Sequence, residues 1–140
     1  MIKPEISKRI LIVDDEPHML RIIELSLKKA GFDLLTARNG NEAIALALRD
    51  LPALIVMDVM MPERDGISAL KELKGTAATA KIPVIMLTTR GQNVTRVEAE
   101  GSGATLYLTK PFSPSALAVE AKRIIESAES NPLESPTHSS

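Results

Sequence analysis

Residues 11–17 read LIVDDEP: three large aliphatic side chains, three carboxylates in succession and a proline. Residues 10–13 are apolar without alternation, which is typical of a strand covered on both faces, as in parallel sheets. Pro17 suits the first turn of a helix, and the segment that follows repeats apolar residues at helical spacing. The stretch therefore predicts a buried strand, an acidic junction and then a helix.

The same succession of strand and helix repeats along the chain. We predict five strands, at residues 10–13, 33–37, 54–57, 84–87 and 105–108. We predict five helices, at residues 17–30, 41–49, 66–74, 92–100 and 113–127. Such alternation implies right-handed crossovers between parallel strands, and hence an α/β fold with a doubly wound sheet and helices on both faces.

Composition restricts the possible classes of protein. The chain has 140 residues, 44% of them hydrophobic, which suits one domain with one core. We expect a flexible segment at residues 1–8, a domain at 9–128 and a polar, disordered tail at 129–140. The net charge of −1 argues against direct nucleic-acid binding through bulk electrostatics. Cysteine is absent and no apolar run is long enough to cross a bilayer, so we expect a cytoplasmic protein without disulfides or membrane attachment.

Polar side chains stand at the ends of four predicted strands. They are Asp14 and Asp15, Asp58, Thr88 and Lys110. Because the carboxyl ends of parallel strands meet at one edge of a sheet, we expect these groups to converge. Clustered carboxylates repel one another, and a hard divalent cation such as Mg²⁺ relieves that repulsion. A carboxylate nucleophile beside a cation, an ammonium and a hydroxyl predicts phosphoryl transfer onto an aspartate.

Four motifs occur in order along the chain. They are LIVDDEP at 11–17, VMDVMMPERDG at 56–66, PVIMLTT at 83–89 and YLTKPF at 107–112. Together they resemble the receiver domain of response regulators, in particular the single-domain chemotaxis regulators, over residues 8–128. The resemblance implies a flavodoxin-like five-stranded sheet of order 2-1-3-4-5. Two departures, Arg64 and the GATL sequence at residues 103–106, affect positions outside the implied phosphorylation chemistry.

The resemblance also implies a phosphoacceptor and a metal site. Asp58 would accept the phosphoryl group. Mg²⁺ would be bound directly by Asp15 and Asp58 and by the main-chain carbonyl of Met60, and through water by Asp14. An alternative interpretation of residues 14–16 is an acidic cap on the following helix, where the helix dipole favours negative charge.

Three further residues receive roles from the resemblance. Thr88 would donate its hydroxyl to a phosphoryl oxygen. Lys110 would pair with Asp58 and then with the phosphate, and the bond from Lys110 to Pro111 would be cis. Tyr107 occupies the place of an aromatic side chain that rotates when the protein is phosphorylated. With three aromatic residues in the chain, permanent packing of Tyr107 against the sheet is the alternative.

The implied function is a phosphorylation-dependent signalling switch of a two-component system. A sensor histidine kinase or a histidine phosphotransfer protein would phosphorylate Asp58 in the presence of Mg²⁺. The surface of the fourth helix, fifth strand and fifth helix would then change and control the binding of a downstream protein. Two alternatives stay open: a phosphorelay shuttle to a histidine phosphotransfer protein, and an adaptor that works without phosphorylation.

We expect no multiple-turnover enzyme. Hydrolases that form an aspartyl phosphate usually carry a second aspartate two residues after the nucleophile, and Met60 stands at that position. About a dozen residues follow the last predicted helix, too few for a DNA-binding module, so output is expected through protein contacts. We expect a monomer, or a weak dimer that forms on phosphorylation.

Overall fold

The computed structural model describes residues 8–61, 65–89 and 103–130, which form five strands and four helices. The strands are β1 (Arg9–Val13), β2 (Asp33–Ala37), β3 (Leu54–Asp58), β4 (Val84–Thr89) and β5 (Leu106–Lys110). The helices are α1 (Pro17–Lys29), α2 (Gly40–Asp50), α3 (Gly66–Gly75) and α4 (Pro114–Ser130). Helix α4 corresponds to the fifth helix of the sequence prediction.

All five strands are parallel and follow the order β2-β1-β3-β4-β5. This result confirms the predicted fold class and strand order. The chain places β2 on one side of β1 and then returns across β1 to add β3, β4 and β5 on the other side. The direction of winding therefore reverses between β1 and β3, which is where sites form at the carboxyl edge of such sheets.

The sheet separates two apolar layers. Successive side chains of a strand point to opposite faces, so Leu11 and Val13 pack with α2 and α3, whereas Ile10 and Ile12 pack with α1 and α4. All four of these β1 side chains have no exposed surface. Burial of each large aliphatic side chain stabilises the fold by about 1.5–3 kcal/mol. This two-sided burial is the reason for the unbroken apolar runs in the sequence.

Short polar side chains begin three of the four described helices. The side chains of Asn39, Asp65 and Ser113 accept hydrogen bonds from main-chain N–H groups in the first turns of α2, α3 and α4. Helix α1 starts differently, with a proline in its first turn and no side-chain cap. It ends before Gly31, whose φ of +100° is a conformation that favours glycine.

Three strands extend further toward the carboxyl edge than predicted. Asp58 pairs in register with Leu87, and Thr89 pairs with Lys110, so these polar residues are the last residues of strands. A polar side chain does not interrupt the main-chain ladder, which explains why an apolar pattern underestimates strand length. The groups at this edge are consequently fixed by sheet hydrogen bonds.

Helix α4 ends at Ser130, three residues beyond the predicted end. Residues 128–130 contain no proline or glycine that would stop the helix at the predicted boundary. The predicted helix at 92–100 lies outside the described residues, as do residues 1–7 of the predicted flexible segment and 131–140 of the predicted tail. Within the described parts of the chain, no helix has the length and hydropathy required to span a membrane.

Candidate functional site

The polar residues at the strand ends lie at the carboxyl edge of the sheet. Asp14 directly follows β1, Asp58 ends β3 and Lys110 ends β5. The main-chain N–H of Asp14 donates to the carbonyl of Ala37 at 3.1 Å, which anchors the start of the acidic junction to the end of β2. The structure therefore brings side chains from β1, β3 and β5 together at the place where the winding of the sheet reverses.

Three carboxylates form the centre of the site. One oxygen from each of Asp14, Asp15 and Asp58 lies within 4.8 Å of the others. Asp14 is 1% exposed and Asp58 is 6% exposed, whereas Asp15 faces solvent. The cluster is thus buried on the side of the sheet and open on the side of Asp15.

Lys110 bridges the two buried carboxylates. Its Nζ lies 3.3 Å from Oδ2 of Asp14 and 3.3 Å from Oδ1 of Asp58. Burial lowers the pKa of Lys110, but the charges of Asp58 and Asp14 outweigh that effect, so the pKa is raised overall. The amine is therefore held as an ammonium ion against both carboxylates.

One ammonium group does not neutralise the cluster. Burial raises the pKa of Asp58 from 3.8 to about 6, the charge of Asp14 contributes to the rise, and Lys110 opposes it. The pKa of Asp14 is also raised, mainly by burial, despite its hydrogen bond from Glu16 and its contact with Lys110. Both shifts arise mainly from the loss of solvation around these carboxylates, which disfavours their charged forms.

The donor set fits a hard divalent cation. Mg²⁺ prefers carboxylate and carbonyl oxygens and typically keeps several waters. Asp14, Asp15 and Asp58 offer three such oxygens close together, and the solvent-facing side at Asp15 leaves room for water. These three residues could hold Mg²⁺. The contribution of the Met60 main-chain carbonyl, and the water between Asp14 and the cation, stay predictions.

The acidic junction does not cap helix α1. Glu16 is the residue before the helix, and its side chain makes no capping hydrogen bond. The main-chain N–H of Glu16 instead donates to Oδ1 of Asp14 at 3.0 Å, which orients that carboxylate. The first turn of α1 contains no acidic residue. The structure therefore gives no side-chain cap in support of the helix-cap interpretation of residues 14–16, and the local turn orients Asp14 within the carboxylate cluster.

Gly66 allows the start of α3 to approach the end of β3. A Cβ atom at this position would lie 2.2 Å from the main-chain oxygen of Asp58 and 3.0 Å from the terminal carbon of Met86. The main-chain N–H of Gly66 donates to the carbonyl of Val59 at 2.8 Å, which fastens the helix to the segment that carries Asp58. The absence of a side chain is thus a steric requirement of the site.

The remaining predicted site residues lie around this centre. Thr88 is half-buried near the end of β4 and pairs in register with Thr109. Tyr107 lies opposite Met86, and its half-buried side chain packs against the apolar layer that includes α2 and α3. The side chain of Met60 is 56% exposed. The peptide bond between Lys110 and Pro111 is cis.

Two residues at the site were not singled out by sequence reasoning. Gly66 lay in the quoted motif without a role, although an aspartate–glycine pair before an apolar helix could have indicated a close approach. Arg38 follows β2, and its Nη2 lies 3.5 Å from the main-chain oxygen of Asp15. No local pattern indicates the position of Arg38, because it depends on the pairing of β1 with β2.

The fold and the site define a doubly wound α/β protein with a carboxylate-lined pocket at its carboxyl edge. The chain belongs to the family of response regulator receiver domains, whose family model matches residues 10–122. Receiver domains generally bind Mg²⁺ in an acidic pocket, which agrees with the donor set described above.

Known relatives support this assignment. The transcriptional regulatory protein SrrA of Staphylococcus aureus is 39% identical over 128 residues, which cover 91% of this chain and 52% of SrrA. The chain thus spans about half the length of the curated relatives it matches. The receiver domain of a signal transduction histidine kinase from Syntrophus aciditrophicus superposes with a TM-score of 0.81 at 35% identity, covering 86% of this chain and 92% of that one. The chemotaxis response regulator CheY4 of Vibrio cholerae has a TM-score of 0.78 at 31% identity, covering 85% and 99% of the two chains.

Proposed function

We propose that the protein is a signalling switch in which Asp58 accepts a phosphoryl group from a sensor histidine kinase or a histidine phosphotransfer protein. The observation that carries this proposal is the environment of the Asp58 carboxylate. It is nearly buried, lies 3.3 Å from the Lys110 ammonium and stands beside two further carboxylates. Family membership supports the choice of donor, because receiver domains interact with histidine kinases. We further propose that donor and acceptor meet in the cytoplasm.

The chemistry follows from the groups around Asp58. With a pKa of about 6, its carboxyl is mostly ionised at neutral pH and able to act as a nucleophile. One oxygen of Asp58 forms a bond to phosphorus as the bond from phosphorus to the donor imidazole nitrogen breaks, and the electron pair stays on nitrogen. The Lys110 ammonium is placed to bind the phosphoryl oxygens. Mg²⁺ held by Asp14, Asp15, Asp58 and the Met60 carbonyl would supply positive charge that stabilises the transferring group.

The phosphorylated state should be temporary. The product is an acyl phosphate, which water hydrolyses back to the carboxylate and inorganic phosphate. The side chain two residues after Asp58 is the exposed thioether of Met60, which cannot protonate or deprotonate a reacting group. We therefore propose one phosphoryl transfer per activation, without the continuous turnover of a phosphatase.

Signal transmission is proposed to run from Thr88 to Tyr107. Thr88 is at the carboxyl edge of β4, next to β3 and its phosphoacceptor, so its hydroxyl can move to a phosphoryl oxygen. Tyr107 lies in the neighbouring strand β5, with its ring against the apolar layer. A movement of Thr88 would change the packing of this ring. The surface of β5, α4 and the predicted helix at 92–100 would then favour a different set of partners.

The downstream partner is proposed to be a protein. SrrA is a transcriptional regulatory protein by name, and this chain corresponds to about half of its length. The net charge of −1 makes direct binding of these 140 residues to nucleic acid unfavourable. Output through a changed protein-binding surface agrees with this charge balance.

The test is phosphorylation by a small-molecule donor. We expect acetyl phosphate and Mg²⁺ to raise the intact mass by one phosphoryl group, and we expect Asp58→Asn to abolish the increase. Asp33→Asn, which changes an exposed carboxylate at the start of β2, is the matched control and should react like the parent. Equal labelling of parent and Asp58→Asn would show that the phosphoacceptor is elsewhere.

A further inference from the structure

Arg38 occupies a defined position at the rim of the carboxylate site. It lies between the last residue of β2, Ala37, and the cap of α2, Asn39. Its Nη2 lies 3.5 Å from the main-chain oxygen of Asp15, and Asp15 is the solvent-facing member of the cluster. The guanidinium group is therefore near Asp15, on the solvent-facing side of the cluster.

The start of the Arg38 side chain is anchored. The main-chain N–H of Arg38 donates to Oε1 of Glu42 at 2.7 Å, and the main-chain N–H of Glu42 donates to Oδ1 of Asn39 at 2.9 Å. These two hydrogen bonds fix the main chain of Arg38 relative to the first turn of α2. The first of these bonds also occupies one oxygen of the Glu42 carboxylate.

The charge of Arg38 is not neutralised by its surroundings. Of the carboxylates in the part of the chain that the structure describes, none forms an ion pair with its guanidinium group, although Asp15 is close by. Its contact at the site is a neutral carbonyl oxygen. A permanently charged, exposed guanidinium with planar donors is well suited to bind phosphoryl oxygens in a bidentate manner.

We propose that Arg38 binds the phosphoryl oxygens of the incoming donor at the rim of the site and thereby selects for anionic phosphodonors. This inference rests on the proposed function. Lys110 contacts the phosphoryl group from the buried side, and Arg38 contacts it from the solvent side while the bond from phosphorus to the donor breaks and the bond to Asp58 forms. The donor chemistry is a phosphoryl dianion, carried by a phosphohistidine or by an acyl phosphate.

The proposal predicts opposite effects on the two ligands of the site. Loss of the positive charge weakens the binding of an anionic donor. The same loss removes repulsion between the guanidinium and a divalent cation at the carboxylates, so Mg²⁺ affinity stays equal or increases. Damage to the local fold would instead weaken both.

The experiment compares Arg38→Gln with Arg49→Gln, an exposed arginine at the other end of α2 that makes the same change in net charge. The initial rate of phosphorylation is measured against acetyl phosphate concentration at saturating Mg²⁺, and Mg²⁺ affinity is measured separately. We expect Arg38→Gln to raise the KM for acetyl phosphate roughly three- to tenfold, near the upper end of the range for a charged contact at a solvent-exposed site, with Mg²⁺ affinity equal or higher. Arg38→Lys should recover part of the loss, and Arg49→Gln should match the parent.

Three outcomes would overturn the inference, and they differ in what they imply for the proposed function. If Arg38→Gln and Arg49→Gln have the same KM for acetyl phosphate, the inference is overturned and the proposed function stays intact. A higher KM that is accompanied by weaker Mg²⁺ binding overturns it in favour of a structural role for Arg38. A parent protein that accepts no phosphoryl group overturns both the inference and the proposed function.

Discussion

Replacement of Asp58 by asparagine should stabilise the cation-free protein at neutral pH. Asp58 is 6% exposed, and burial together with the charge of Asp14 raises its pKa from 3.8 to about 6. A rise of this size means that ionised Asp58 destabilises the folded state by about 3 kcal/mol relative to the protonated form. Asparagine has nearly the same shape and no charge, and its amide oxygen can still accept a hydrogen bond from Lys110.

The effect should depend on pH in a defined direction. Because the pKa of Asp58 is higher in the folded state, its favourable contribution is complete below the unfolded value of 3.8 and is lost as the pH rises through about 6. The advantage of Asp58→Asn should therefore be small near pH 4, increase between about pH 4 and about pH 6, and stay constant above that range.

The assay is urea unfolding in EDTA at several pH values, with thermal unfolding as a second measurement. At neutral pH we expect Asp58→Asn to raise the free energy of unfolding by about 2–3 kcal/mol, or the melting temperature by about 4 °C for each kcal/mol. Asp33→Asn, at an exposed carboxylate, is the control and should change little. Added Mg²⁺ should stabilise the parent more than Asp58→Asn. An Asp58→Asn protein that is less stable than the parent at neutral pH, or a difference independent of pH, would refute the reasoning.

Three further predictions concern the same edge of the sheet. Gly66→Ala should destabilise the protein by about 1–3 kcal/mol, because the new Cβ would lie 2.2 Å from the Asp58 carbonyl oxygen. Gly75→Ala is the control and should not destabilise it, because a Cβ there would have nothing within 4 Å. Urea unfolding compares the two variants, and equal stabilities would contradict the steric argument. Asp15→Ala should weaken Mg²⁺ binding with little change in the free energy of unfolding without metal, since Asp15 is exposed. Mg²⁺ is titrated with the melting temperature as the readout, and a titration equal to that of the parent would exclude Asp15 from the cation site. Thr88→Ala should still accept a phosphoryl group but show smaller amide NMR shifts in β5 on addition of beryllofluoride; shifts equal to those of the parent would argue against a role for Thr88 in transmission.

Much of the fold could be predicted because its physical cause is local in sequence. Strands β1, β3 and β4 are buried on both faces, and that requirement leaves continuous apolar runs that need no structure to detect. Helix ends also have local causes: Ser113 caps α4 by a hydrogen bond from a residue three positions away, and Gly31 ends α1 through its own main-chain conformation. The site was located for a related reason: parallel strands place their carboxyl ends at one edge, so residues at those ends must converge.

By itself the sequence determined the alternating strands and helices, the parallel doubly wound class and the set of polar groups at the carboxyl edge. The tertiary structure alone decided how those groups combine. Lys110 and Asp14 are separated by 96 positions, yet the ammonium lies 3.3 Å from Asp14 and equally close to Asp58. Four features depend on strand register and on burial: that bridge, the raised pKa of Asp58, the steric need for Gly66 and the position of Arg38. Register and burial arise from the packing of both faces of the sheet at once, so no local pattern of residues contains them.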